Sequence, residues 1–158
     1  MKSSGFNSVF MQKALMLAAE AYNNDEIPVG AVIVNRKEQT IVAKAHNIMQ
    51  KHNNSLLHAE IVAINRACQG LNSKYLENCD IYVSLEPCVM CAAAISYAKI
   101  SRLFYAAADR KQGAVEHGVR FFTKKSCFHR PEVYDNLDAE KSQQLIKSFF
   151  RQIRKNGL

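Results

Sequence analysis

Ile81-Tyr82-Val83-Ser84-Leu85-Glu86-Pro87-Cys88-Val89-Met90-Cys91 is the stretch on which the fold turns. Its first five residues form a β-branched, aromatic and apolar run of strand length. Pro87 follows shortly after, and proline is tolerated where a helix begins because the missing N–H has no helical partner to lose. The spacing therefore predicts a helix over Cys88 to Ala98. A second strand-like run, Arg102-Leu103-Phe104-Tyr105-Ala106, begins after a short joint. Strand, helix and strand with such short connections make a βαβ unit, whose strands lie parallel and whose crossover is right-handed. The same spacing sets two thiols, Cys88 and Cys91, three residues apart and so on one face of the first helical turn.

Upstream, Phe10, Ala14, Leu17, Ala18 and Ala21 share one stripe, with Met11, Leu15 and Tyr22 beside it. Residues 8–23 thus read as an amphipathic helix. Pro28 closes that region and opens the apolar run Val29-Gly30-Ala31-Val32-Ile33-Val34. A polar turn from Asn35 to Gln39 leads into Thr40-Ile41-Val42-Ala43, which makes the pair an antiparallel hairpin. Residues 47–57 are a polar loop, and residues 58–69 read as a helix ended by Gly70. Downstream, residues 107–136 are the least regular part. From about 138 to 155, Leu145, Ile146, Phe149, Phe150 and Ile153 gather on one side of a helix, and Lys147, Arg151, Arg154 and Lys155 on the other. A hairpin followed by alternating helices and strands belongs to the α/β class, a mixed sheet with helices on both faces. No linker, repeat or low-complexity tract interrupts the chain, so residues 1–158 are expected to be one domain.

Composition narrows the classes of function. The chain has 158 residues, of which 48% are hydrophobic and 22% charged, enough to bury a core without disulfides or metals holding it together. Twenty-one Lys and Arg against 14 Asp and Glu give a net charge of +7, which favours an acidic partner, nucleic acid first, although many small proteins are mildly basic. No window reaches the roughly 18 apolar residues of a membrane helix, and no signal-peptide pattern follows Met1. Five cysteines, an odd number, do not read as a disulfide framework. The expected home is a reducing cytoplasm, with Cys68, Cys79 and Cys127 as small buried hydrophobes.

The chemistry gathers in two short segments, His58-Ala59-Glu60 and Pro87-Cys88-Val89-Met90-Cys91, each opening a predicted helix. Residues two apart in mid-helix point about 200° from each other, so His58 and Glu60 can serve one site only from an open N-terminus. The partial positive charge of a helix N-terminus favours thiolates. One imidazole and two thiolates suit Zn²⁺. No second C-x-x-C and no H-x₃₋₅-H pair closes the set, and three protein ligands with an open position is the catalytic pattern. A divalent ion so held brings the pKa of a bound water towards roughly 7. Glu60, a carboxylate that does not ligate, is placed to carry the protons. The plainer readings are a redox pair or buried thiols for Cys88 and Cys91, and a dipole-favoured carboxylate for Glu60.

These residues match a known signature, H-x-E…P-C-x-x-C, of zinc-dependent nucleobase deaminases. The resemblance is wider. Pro28-Val29-Gly30-Ala31-Val32, His46-Asn47, His58-Ala59-Glu60-Ile61, Leu85 to Cys91, Ala94-Ile95 and Asp109-Arg110-Lys111-Gln112-Gly113-Ala114 resemble the bacterial tRNA-specific adenosine deaminases, from about residue 8 to residue 152. That resemblance implies a cytidine-deaminase-like three-layer α/β/α sandwich around a five-stranded mixed sheet. It implies one Zn²⁺ per subunit on His58, Cys88 and Cys91, proton transfer by Glu60, and a hydrogen bond from Asn47 to the target base. The implied substrate is the wobble adenosine of a tRNA anticodon, converted to inosine with release of ammonia. The implied assembly is a homodimer, each tRNA touching both subunits. Many members carry Asn-His-Arg where this chain has Phe128-His129-Arg130, so no contact of that Asn is transferred. Phe128 reads first as a core residue and second as a face on which a nucleotide stacks.

Asp109 and Lys111 read equally as contacts to RNA or as a turn pair. Glu86 reads as structural, because one carboxylate is enough to shuttle protons. Lys147, Arg151, Arg154 and Lys155, with Arg120, Lys124, Lys125 and Arg130 before them, read as phosphate contacts over a merely solvated face. His46, His117 and His129 are not expected to bind metal. The competing functions are a zinc deaminase of free guanine, cytosine or cytidine, a non-catalytic zinc-binding subunit, and a thiol oxidoreductase. The last leaves His58 and Glu60 unexplained.

Overall fold

Strand pairing, more than any single element, shows how the chain is arranged. The computed structural model describes residues 5–157. In chain order the elements are α1 (Ser8–Asn23), β1 (Gly30–Asn35), β2 (Thr40–His46), α2 (Ala59–Leu71), β3 (Cys79–Leu85), α3 (Val89–Tyr97), β4 (Arg102–Ala107), a single 3-10 turn (Phe121–Thr123), β5 (Glu132–Tyr134) and α4 (Ala139–Lys155). One five-stranded sheet has the order β2-β1-β3-β4-β5. The hairpin β1–β2 is antiparallel, with a register shift between Ile33 and Val34. β1 also runs antiparallel to β3. β3 and β4 are parallel, with Ile81 opposite Leu103, as a βαβ unit requires.

Side-chain alternation divides the sheet into two apolar faces. Ile33, Ile81, Val83, Leu103 and Tyr105 meet Val62 and Ala63 of α2 and Ala92 and Ile95 of α3. Val32, Val34, Tyr82, Phe104 and Ala106 meet Phe10, Met11, Ala14 and Leu15 of α1, with Leu137 at the approach to α4. The Phe149 ring of α4 packs edge-on against Tyr22 of α1, 6.0 Å between centroids. This is the three-layer α/β/α sandwich: α1 and α4 on one face, α2 and α3 on the other. The central strands read as continuous apolar runs because both of their faces are covered. β2, at the edge, shows the alternation of a half-covered strand. Burying each large aliphatic side chain contributes about 1.5–3 kcal/mol before entropy is subtracted. Gly30 lets α1 lie close to β1, since a Cβ there would sit 2.1 Å from the Ala14 carbonyl oxygen.

Three boundaries differ from the sequence expectation. Helix α2 continues through Gly70 and ends at Asn72, which takes the left-handed conformation (φ 47°). The Ser73 and Asn72 N–H groups return to the Cys68 and Gln69 carbonyls, a capping turn that asparagine also accommodates. Pro87 stands one residue before the cap of α3, which is Cys88 itself. The region expected to be irregular contains β5, parallel to β4 with Leu103 opposite Val133. Three residues at a sheet edge are too few to print an alternation in the sequence. Among the described residues no helix is long and apolar enough to cross a membrane.

Candidate active site

The N-terminal ends of α2 and α3 face each other at the end of the sheet where β3 runs out. His58 caps α2 and Cys88 caps α3, both with extended backbone and neither using its side chain as a cap. Their carbonyls accept the first helical N–H groups, from Val62 and Ala92. The imidazole and the thiol are therefore free to turn towards one another. His58 Nδ1 lies 3.6 Å from the Cys88 sulfur and 3.6 Å from the Cys91 sulfur. These three ligand atoms all fall within 4.8 Å of one another and could hold a metal ion. A tetrahedral centre with metal–sulfur bonds of about 2.3 Å and metal–nitrogen bonds of about 2.05 Å separates its nitrogen and sulfur ligands by about 3.6 Å. The donor set fits zinc in kind and in spacing.

The electrostatics favour a thiolate at Cys88. The Cys91 thiol and the His58 ring beside it bring Cys88 down to about 4. Cys91 is pushed the other way, by the Cys88 sulfur first and by burial second. Its hydrogen bond with Cys88 raises the His58 ring above the usual histidine value. Glu60 is 3% exposed, and burial raises its carboxyl to about 6. Among the described residues its Oε2 has no hydrogen-bond partner. A buried carboxylate oxygen without a partner is costly unless a ligand or water completes it, and this one lies beside the cluster.

Asn47 is 3% exposed and ties the site to the rest of the fold. Its Oδ1 accepts the Ala59 N–H at 2.8 Å, and its Nδ2 donates to the Ile27 carbonyl at 2.9 Å. These two bonds fix which end of the amide is which, and they leave one Nδ2 proton and one Oδ1 lone pair unused. Asp109 forms a turn: its Oδ1 accepts the N–H groups of Lys111 and Gln112 at 3.1 and 3.0 Å, and the Lys111 side chain is exposed. Lys147, Arg151, Arg154 and Lys155 all lie on the exposed face of α4. His46, His117 and His129 are engaged elsewhere, with the Asn47 carbonyl, the Glu86 carboxylate and the Ile100 carbonyl respectively.

Phe128 departs from expectation. It is 95% exposed and packs into no core. Its neighbours are anchored instead: the His129 carbonyl accepts from Ser96 Oγ at 2.7 Å, and Arg130 Nε donates to the Phe122 carbonyl at 2.6 Å. Sequence reasoning also missed Glu26. Both of its carboxylate oxygens accept backbone N–H groups, from Gln50 and Lys51, and so hold the loop that carries Asn47. A lone acidic residue before Pro28 gives no sign of that role.

Fold and site together define a deaminase, and residues 7–154 match the family model described as MafB19-like deaminase. The tRNA-specific adenosine deaminase of Rickettsia bellii is 54% identical over 144 residues, which cover 91% of this chain and 99% of that one. A solved structure from a study of A-to-I editing by tRNA:A34 deaminases superimposes with a TM-score of 0.85 at 45% identity, covering 88% of this chain and 99% of that one. The guanine deaminase of Bacillus subtilis shares the fold with a TM-score of 0.62 at 33% identity, over 71% of this chain and 81% of that one. The chain belongs to the tRNA-specific adenosine deaminase family.

Proposed function

We propose that this chain is a zinc-dependent hydrolase that converts the wobble adenosine of a tRNA anticodon to inosine and releases ammonia. The observation that carries the reading is the pairing of His58 Nδ1 with the two thiols at 3.6 Å beside the partnerless Oε2 of buried Glu60. His58, Cys88 and Cys91 hold the ion. When bound, zinc supplies a water acidified enough to be a nucleophile at neutral pH. Glu60 would take a proton from the attacking water and give it to a ring nitrogen of adenine, then carry the second proton, from the new oxygen on C6, to the amine that leaves. The C6–N bond breaks and C6 keeps the water's oxygen. Asn47 turns its spare Nδ2 proton to the base. An anticodon loop suits a recessed site, because its bases are already unpaired and leave the stack at little cost.

The surface supports an RNA partner. Phe149 meets Tyr22 near the end of α1, so the basic turns with Arg151, Arg154 and Lys155 lie at the end of the molecule where Ile27 leads to Asn47. Lys147 and these three residues contact phosphates, and Asp109 and Lys111 face the RNA near the flipped base. Phe128, exposed beside Lys124 and Lys125, offers a stacking face to a nucleotide. The dimer reading draws on α3. Cys91, Ala92 and Ile95 face the core, while Val89 and Tyr97, the latter 79% exposed, carry apolar surface outward. A helix apolar on all sides is normally covered, and a second copy of the chain covers it here. The free state of all five cysteines suits a cytoplasmic location.

A second reading, deamination of a free base, draws on the likeness to the guanine deaminase. Ammonia release from an anticodon stem-loop, compared with release from guanine, cytosine and cytidine, tests the two. Turnover of the stem-loop alone is the expected result. Turnover of a free base with none of the RNA would reverse the assignment.

A further inference from the structure

Glu86 follows the last residue of β3 and is 2% exposed, yet the chemistry proposed above leaves it no part. Its carboxylate is the most heavily bonded group near the site. Oε2 accepts the backbone N–H groups of Val115, Glu116 and His117 at 3.1, 3.1 and 3.2 Å. Oε1 accepts the Asp109 N–H at 3.1 Å and the His117 Nδ1 proton at 2.8 Å. One side chain thus gathers both ends of the segment 109–117, which has almost no regular structure of its own. Gly113 completes the wrapping, because a Cβ there would lie 2.5 Å from the Glu86 carboxyl carbon and 2.3 Å from the Asp109 carbonyl oxygen. The folded segment is laid directly against the approach to the thiols: the Ala114 N–H donates to the Pro87 carbonyl at 2.9 Å, and Gly113 bridges Cys88.

We infer that Glu86, with His117, is a positioning residue for substrate. Its buried charge sets the shape of the 109–117 segment and so fixes where the Asp109 turn and the exposed Lys111 meet the RNA. The inference rests on the RNA reading above. A buried carboxylate is costly unless hydrogen bonds replace its water, and backbone N–H groups are the donors that do so. Charge and loop shape therefore depend on each other. Glu86→Gln keeps the volume and breaks the match. With its oxygen left to the three clustered amides, its NH₂ faces the Asp109 N–H and His117. The histidine can present Nδ1 as an acceptor, but the Asp109 N–H is left without a partner.

The test is hydrogen exchange at the amides of Asp109, Val115, Glu116 and His117, together with steady-state kinetics on an anticodon stem-loop. In Glu86→Gln these amides are expected to exchange about tenfold faster or more. KM for the stem-loop rises about tenfold, kcat stays within about threefold, and zinc remains at one per chain. His117→Ala, at a partly exposed position and safe for folding, shifts the same quantities in the same direction by less. Unchanged exchange overturns the inference, and so does a fall in kcat or zinc content with KM unmoved. The wild-type control separates the two ideas. If it leaves the stem-loop unconverted, the RNA reading fails. If it converts the stem-loop and Glu86→Gln has the same KM, the positioning role fails.

Discussion

Replacing Asn47 with alanine removes two bonds at once, and the structure sets the size of the effect. The amide is 3% exposed. Its loss strands the Ala59 N–H, now 2.8 Å from an acceptor, and takes one of two donors from the Ile27 carbonyl, which keeps the Val29 N–H at 2.8 Å. The stranded N–H costs about 1–3 kcal/mol, and the bond lost at the carbonyl adds about 0.5–1.5 kcal/mol. Some relaxation and a gain in side-chain entropy return part of this, so Asn47→Ala is expected to destabilise the fold by about 1–3 kcal/mol. For a domain of this size each kcal/mol moves Tm by about 2–4 °C, which places the shift at about 2–12 °C. Urea unfolding of the zinc-loaded protein, followed by far-UV dichroism, measures the free energy directly. Ala59 follows His58, so the same variant is expected to retain zinc less tightly. A variant within about 0.5 kcal/mol of wild type would show that the amide does not hold the start of α2.

Cys88→Ala and Cys91→Ala are each expected to lose both metal and turnover, because two protein ligands and an exposed gap hold zinc poorly; metal analysis of the purified variants decides this. Changing Lys147, Arg151 and Arg154 to Glu weakens tRNA binding and flattens the plot of log affinity against log salt by roughly three phosphates' worth of slope. An unchanged affinity makes that face of α4 merely solvated. Phe128→Ala costs about 1–3 kcal/mol of RNA affinity through lost stacking and leaves Tm within about 2 °C, because a side chain 95% exposed supports no core. Equal affinity with a changed oligomeric state in sedimentation would instead make Phe128 a contact between copies of the chain.

The elements that sequence made legible are those with a period or a chemical signature. The apolar run at Val29–Val34 and the βαβ unit from Ile81 to Ala106 announce covered central strands. The His58–Glu60 and Cys88–Cys91 spacings announce the site. The hydrogen bonds that hold the site in place leave no such trace. Glu26, Asn47 and Glu86 act through backbone N–H groups far along the chain, and any acidic or amide residue in a loop reads alike. β5 stays hidden because its three residues gain their partner only from β4. Gly70 misled because glycine usually ends a helix, whereas here the left-handed turn falls two residues later, at Asn72. Phe128 misled because phenylalanine is usually buried, and only the folded surface shows that it is not.

The proposed chemistry has Glu60 move protons at a site whose metal it does not hold. Its most direct test incubates an anticodon stem-loop with wild type and with Glu60→Ala, sequences the RNA, and measures zinc in both proteins. With wild type, adenosine is expected to be read as guanosine at the wobble position. With Glu60→Ala, one zinc per chain is expected and conversion slowed by about 10²–10⁴-fold. Conversion at the wild-type rate by zinc-loaded Glu60→Ala would contradict that chemistry.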